Sequence, residues 1–206
     1  MLGFYNYTVI LTYLGMLVSF LGLSFAVGGS MQPALLCLMV SGVCDMFDGK
    51  IASTMDRTRS EKRFGIQIDS LSDLICFGVL PAVIVYELTG RSGPGFYTGA
   101  IYLLCALIRL AWFNVDEEER QERSSGSREV YLGLPVTSAA LLLPAFVGVV
   151  KLCRWPVEKL ASVLLILMAA AFLTPFKLKK PALPGKIGMI LCGGAELLLL
   201  LAWVDI

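Results

Sequence analysis

Residues 1–44 read MLGFYNYTVILTYLGMLVSFLGLSFAVGGSMQPALLCLMVSGVC, and none of them carries a charged side chain. A bilayer-spanning helix needs about 20 mostly apolar residues, so this stretch holds two. Gly28, Gly29 and Ser30 supply the turn between them. A secretory leader would be shorter and would open on basic residues, so the stretch is expected to belong to the mature protein. The remainder continues the same way. Of 206 residues, 57% are hydrophobic and 16% charged, and the mean hydropathy is +0.77. An ordinary soluble domain carries about 25% charged residues, so a water-soluble globule and a disordered chain are both excluded.

Seven helix-length apolar segments follow from this reading: residues 7–27, 33–52, 69–87, 96–115, 134–150, 157–175 and 187–204. The alternation expected of membrane strands is missing, and the fold class is all-α, a polytopic membrane helix bundle in one domain, 1–206. Orientation follows from the basic residues of short loops. Twelve lie in the loops after the second, fourth and sixth segments: Lys50, Arg57, Arg59, Lys62 and Arg63, then Arg120, Arg123 and Arg128, then Lys177, Lys179, Lys180 and Lys186. Four lie on the other side: Arg91, Lys151, Arg154 and Lys159. The rich side is the cytoplasmic one, and the N-terminus shares it. The mixed charges of residues 116–129 suit a solvated tether or a helix extension.

The net charge of +1 gives no support to nucleic-acid binding. Histidine is absent, which removes His-based acid–base catalysis and His-ligated metals. The six cysteines lie apart, with no C-x-x-C pair, and read as small buried apolar residues.

Charge inside a membrane helix is costly and tends to mark function. Asp45 and Asp48 stand three apart near the end of the second segment, and Asp69 and Asp73 four apart at the start of the third. Each spacing puts its pair on one helix face, and a single loop joins the two segments. The four carboxylates are therefore expected to converge at the cytoplasmic end of the bundle. Such a cluster must either hold protons or hold cations. All-oxygen ligands suit Mg²⁺ or Mn²⁺ and sometimes Ca²⁺, and two ions there would serve phosphoryl transfer. Helix capping is the plainer alternative, with Asp69 placed for a first-turn acid. Gly49, Ala52 and Gly65 would let a bulky ligand approach the backbone.

These residues resemble the signature of the CDP-alcohol phosphotransferases, D-x2-D-G-x2-A-R-x8-G-x3-D-x3-D. Asp45, Asp48, Gly49 and Ala52 fill its first half, and Gly65, Asp69 and Asp73 its second. Ser53 stands where the family usually has arginine, and eleven residues rather than eight precede Gly65. Arg57 or Arg59 on the longer loop is a candidate replacement. Within that family, FGIQIDSLSDLICFGVLPA at residues 64–82, LIRLAWFN at 107–114 and Gly133-Leu134-Pro135 resemble segments of the bacterial and archaeal phosphatidylserine synthases. The resemblance covers roughly residues 1–150.

The resemblance implies a six-helix core, here with an additional C-terminal helix, in the cell membrane with its active site on the cytoplasmic side. It implies transfer of the phosphatidyl group from CDP-diacylglycerol to L-serine, with release of CMP. Asp45, Asp48, Asp69 and Asp73 would bind two divalent cations, and Asp73 would act as general base on the serine hydroxyl. Gly49, Ala52, Ser53, Arg57 and Gly65 would line the CDP-lipid pocket, and Asn6 and Thr8 would touch the cytosine. A homodimer is implied by the family alone. Arg109, buried in the fourth segment, calls for a counter-charge: a site carboxylate, a substrate phosphate or the serine carboxylate. Glu196 reads as a protonated or dimer-facing group. Two rivals stay open: another acceptor such as glycerol phosphate or inositol phosphate, and a cation transporter.

Overall fold

The computed structural model describes residues 3–123, 130–179 and 183–202. Helices dominate them. A 3₁₀ turn, Tyr7–Val9, leads into α1 (Ile10–Val27), and α2 is Met31–Ala52. α3 (Arg59–Asp73) passes through a π-helical turn, Leu74–Val79, into α4 (Leu80–Leu88) as one continuous rod. α5 is Gly93–Arg123, and a 3₁₀ turn at Val136–Ser138 opens α6 (Ala139–Leu152). α7 (Val157–Leu173) and α8 (Leu183–Leu201) complete the bundle. The rods follow the expected order, including the additional C-terminal helix. By length and composition three of them can cross a membrane, Tyr7–Val27, Arg59–Leu88 and Gly93–Arg120, while Val136–Leu152 is shorter. Seven were expected to be long enough; α2 carries Asp45, Asp48 and Lys50 within its length, and α6 has only 14 residues.

α1 and α2 pack through a seam of small residues. Thr12, Gly15, Ser19, Gly22 and Ala26 are buried on one face of α1, spaced by threes and fours as a single stripe requires. A Cβ on Gly22 would sit 2.8 Å from that of Cys37, so the backbones approach as membrane helices do where small residues meet. The Ser19 and Ser41 hydroxyls pair at 2.8 Å across this seam. Gly42 performs the same service toward α6, where an added Cβ would lie 2.5 Å from the Ala140 Cβ. The outer faces are also apolar. Leu17 and Phe20 of α1 and Leu104 of α5 are exposed, as suits side chains facing lipid.

Three departures from the sequence expectation have clear causes. α3 begins ten residues before Asp69, because Thr58 and Glu61 form a reciprocal capping box that starts the helix outside the apolar run. Asp69 is therefore not a first-turn acid, and the capping explanation for it fails. α5 runs to Arg123, eight residues past the expected end. α5 lies along α3 through Ser70 Oγ donating to Asn114 Oδ1 (2.5 Å), and its charged extension adds Gln67 Nε2 donating to Glu118 Oε1 (3.4 Å) and the Arg63–Glu118 pair (4.0 Å). The rest of the expected tether, 124–129, lies outside the described residues. Finally, a two-stranded antiparallel ribbon joins β1 (Val130–Leu132) to β2 (Lys177–Lys179), with Tyr131 opposite Leu178. Three-residue strands are too short to leave an alternation signal.

The ribbon clips the entry of α6 to the exit of α7. Gly133, at φ +74°, donates its N–H to Phe176 O at 2.7 Å. A side chain there would be strained by the positive φ and would crowd the Thr174 carbonyl at 3.0 Å. Near the π turn, Pro81 has no N–H to give to the Phe77 carbonyl one turn back. The fully buried Tyr102 hydroxyl donates to that carbonyl instead, at 2.7 Å. Glu196 turns inward on α8 and is 4% exposed. Cys192 Sγ donates to its Oε1 at 3.4 Å, so the dimer-facing expectation for this side chain is corrected.

Candidate active site

α2 and α3 deliver the four aspartates to one place. The Asp45 carboxyl meets that of Asp73, and the Asp48 carboxyl meets that of Asp69. Asp45, Asp48 and Asp69 each offer an oxygen, and these oxygens lie within 4.8 Å of one another. Asp73 stands beside this trio, and with Asp45 it borders a small cavity lined also by Thr12, Ser41, Ser72 and Cys76. None of the four acids is ion-paired among the described residues.

That arrangement is unfavourable for bare carboxylates. Two unit charges within 4.8 Å of each other repel by at least about 3.5 kcal/mol at an effective dielectric constant of about 20. Divalent cations relieve the repulsion, and the donor set is the one that hard cations prefer: carboxylate oxygens only, with no sulfur or imidazole among the trio. The residues fit the ions that the sequence implied.

Asp48 is buried, at 8% exposure. Its Oδ2 accepts a 3.0 Å hydrogen bond from the Thr12 hydroxyl of α1. Ser72 Oγ in turn donates to the Thr12 carbonyl at 3.3 Å. Thr12 thus joins the helices that carry both acid pairs, and the sequence reading passed over it. A signal existed: Thr8, Thr12, Gly15, Ser19, Gly22 and Ala26 form one small-residue stripe, and Thr12 is its polar member level with Asp48. Glu61 was also missed. It accepts from Thr58 N (2.8 Å) and from Asn6 Nδ2 (3.2 Å), fastening the chain's start to the head of α3.

The remaining expected site residues fall on the same end of the bundle, in different settings. Asn6 Oδ1 accepts from the Thr8 backbone N–H (3.3 Å) and hydroxyl (2.5 Å). Thr8 is buried, so this pair is engaged with itself and with Glu61. Gly49 has open space where a side chain would project, beside Asp48. Ala52 is half-buried and Ser53 exposed; the Ser53 hydroxyl turns back to Lys50 O at 2.6 Å. Arg57 reaches over Gly65, whose added Cβ would meet its guanidinium at 3.0 Å. Arg109 is buried on α5, with Trp112 and Phe113 ring centroids at 5.3 and 5.9 Å and its Nε 3.4 Å from Leu134 O. These contacts attach it to the Gly133-Leu134-Pro135 turn.

Comparison with known proteins bears on this constellation. A family model described as CDP-alcohol phosphatidyltransferase matches residues 5–191. Curated relatives include a CDP-diacylglycerol–serine O-phosphatidyltransferase of Helicobacter pylori, 33% identical over 60% of this chain and 51% of the relative. Another of the same name, from Mycobacterium tuberculosis, is 26% identical over 64% of this chain and 45% of its own length. An archaetidylserine synthase of Methanothermobacter thermautotrophicus is 30% identical over 62% and 51%. The chain spans about half the length of these relatives. With the family match running across α1 to α8, the chain belongs to the CDP-alcohol phosphatidyltransferase family.

Proposed function

We propose that the chain transfers the phosphatidyl group of CDP-diacylglycerol to the hydroxyl of L-serine, giving phosphatidylserine and CMP. The observation that carries the chemistry is the convergence of Asp45, Asp48, Asp69 and Asp73 between α2 and α3. The choice of serine rests on the names of the relatives and on the sequence context of the acids. Two divalent cations, Mg²⁺ or Mn²⁺, bound by these carboxylates would neutralise the diphosphate and stabilise CMP as it leaves.

The protein's own residues do the remainder. The serine oxygen bonds to the phosphorus bearing the diacylglycerol, and the bond from that phosphorus to the CMP oxygen breaks. Asp73, outside the tight trio, takes the hydroxyl proton. Thr12 holds Asp48 in place. The open side of Gly49 admits the nucleotide end, and Gly65 the diphosphate. Acyl chains stay among the apolar outer faces while serine and CMP exchange with the cytosol. The enzyme is read as a homodimer of the cell membrane with this site on the cytoplasmic side.

The test is direct. Purified protein is given CDP-diacylglycerol, Mn²⁺ and radiolabelled serine, and labelled lipid and CMP are measured. Equimolar phosphatidylserine and CMP support the assignment. Lipid product only with glycerol phosphate or inositol phosphate would replace serine as the acceptor. Cation flux in vesicles without lipid synthesis would favour a transporter.

A further inference from the structure

Far from the acids, α5 and α7 enclose a groove of about 300 Å³ lined by Thr98, Ser162, Val163, Ile166 and Leu167. Two contacts fix its place along the bundle. Asn114 of α5 meets Ser70, the neighbour of Asp69, and Thr98 lies sixteen residues earlier on the same helix, about 24 Å along its axis. The ribbon of β1 and β2 joins the segment after α7 to the segment after α5. The two helices therefore run the same way, and both begin at the end remote from the acids.

The groove is graded in polarity. Trp155, Phe96 and Tyr97 are exposed near the two helix starts, where aromatic side chains mark a membrane–water boundary. Lys159 is exposed one turn before Ser162 and Val163, on the same face of α7, while Glu158 lies about 100° round the helix. Thr98 and Ser162 come next, each five residues past the start of its helix, about 7.5 Å along the axis. The Thr98 hydroxyl donates to Pro94 O at 2.8 Å. Among the described residues the Ser162 hydroxyl has no partner, an unfavourable state for a donor facing hydrocarbon. Beyond them Val163, Ile166 and Leu167 of α7 and Ile101 and Leu104 of α5 are exposed and wholly apolar. A cation, then a free hydroxyl donor, then hydrocarbon complements the phosphate, ester carbonyl and acyl chain of a phospholipid in that order.

We propose that this groove binds one anionic phospholipid of the leaflet opposite the acids. Lys159 meets its phosphate, Ser162 donates to an ester carbonyl, and an acyl chain lies between α5 and α7. A second copy of the chain packed on this face would take the Lys159 ammonium out of water, whereas a lipid leaves it at the head-group level.

The experiment titrates full-length protein in detergent with phosphatidylglycerol, and with phosphatidylcholine for comparison. Bound lipid is counted by native mass spectrometry in wild type, Lys159→Gln, Ser162→Phe and Lys177→Gln, with thermal melts to confirm folding. One phosphatidylglycerol is expected to be held more tightly than the rest. Its affinity falls about fivefold in Lys159→Gln, the effect of one basic residue at an anionic bilayer surface. It is lost in Ser162→Phe, which fills the groove, and is unchanged in Lys177→Gln at the other end of the bundle. Phosphatidylcholine, with no net charge, is held less tightly and responds less to Lys159→Gln. A phosphatidylglycerol with a photoreactive acyl chain labels residues within 98–104 and 162–167. Unchanged phosphatidylglycerol affinity in folded Lys159→Gln and Ser162→Phe, or labelling confined to other segments, overturns the proposal. So does a Ser162→Phe in which only the oligomeric state changes, which gives this face to a second copy.

Discussion

The Thr12 hydroxyl donates a hydrogen bond to Asp48 Oδ2 at 3.0 Å, and both residues are 8% exposed. Replacing Thr12 with valine keeps the shape and deletes the donor. The bond from the Ser72 hydroxyl to the Thr12 carbonyl does not depend on the Thr12 side chain, so the α1–α3 contact survives. A hydrogen bond to a charged acceptor is worth about 1.5–3 kcal/mol. The loss falls on whatever needs Asp48 held in one orientation. If that is cation binding, Mn²⁺ affinity drops by about 10- to 100-fold, the range for removing an outer partner of a metal ligand. The assay is Mn²⁺ titration of purified Thr12→Val followed by electron paramagnetic resonance, with a thermal melt beside it. Thr12→Ser, which restores the donor, brings affinity back toward wild type. A folded Thr12→Val with Mn²⁺ affinity within about twofold of wild type would refute the argument that this bond orients the acid.

Two further substitutions test the packing that brings the acids together. Gly42→Val overfills the α2–α6 contact, where even a Cβ would lie 2.5 Å from Ala140; it should cost about 1–3 kcal/mol, read as a lower melting temperature in detergent. Tyr102→Phe leaves the buried Phe77 carbonyl without its donor beside Pro81, which should destabilise by about 1–3 kcal/mol without changing Mn²⁺ affinity. Loss of Mn²⁺ binding in Tyr102→Phe at equal folding would contradict its purely structural role.

The sequence was most legible where polarity was out of place. Asp45 and Asp48 in an apolar helix announced themselves, and the spacing to Asp69 and Asp73 gave the shared face that the fold displays. The same reasoning set the start of α3 too late, because hydropathy follows the membrane and a capping box works outside it: Thr58 and Glu61 were present but lay in a stretch read as loop. Thr12 was hidden for the opposite reason. One hydroxyl in a charge-free helix is unremarkable until the helix is docked and its face is known. Arg57 and Ser53 could be compared along the chain, but only the folded connection shows one turned onto Gly65 and the other folded back on its own helix end.

The function proposed for this protein depends on the carboxylates of α2 and α3 forming a divalent-cation site. Counting Mn²⁺ ions bound per chain at equilibrium, in wild type and in Asp45→Asn, Asp48→Asn, Asp69→Asn and Asp73→Asn, tests it most directly. Two ions are expected in the wild type and fewer, or more weakly held, ions in each variant. A wild type that binds no Mn²⁺, or variants that bind as wild type does, would contradict it.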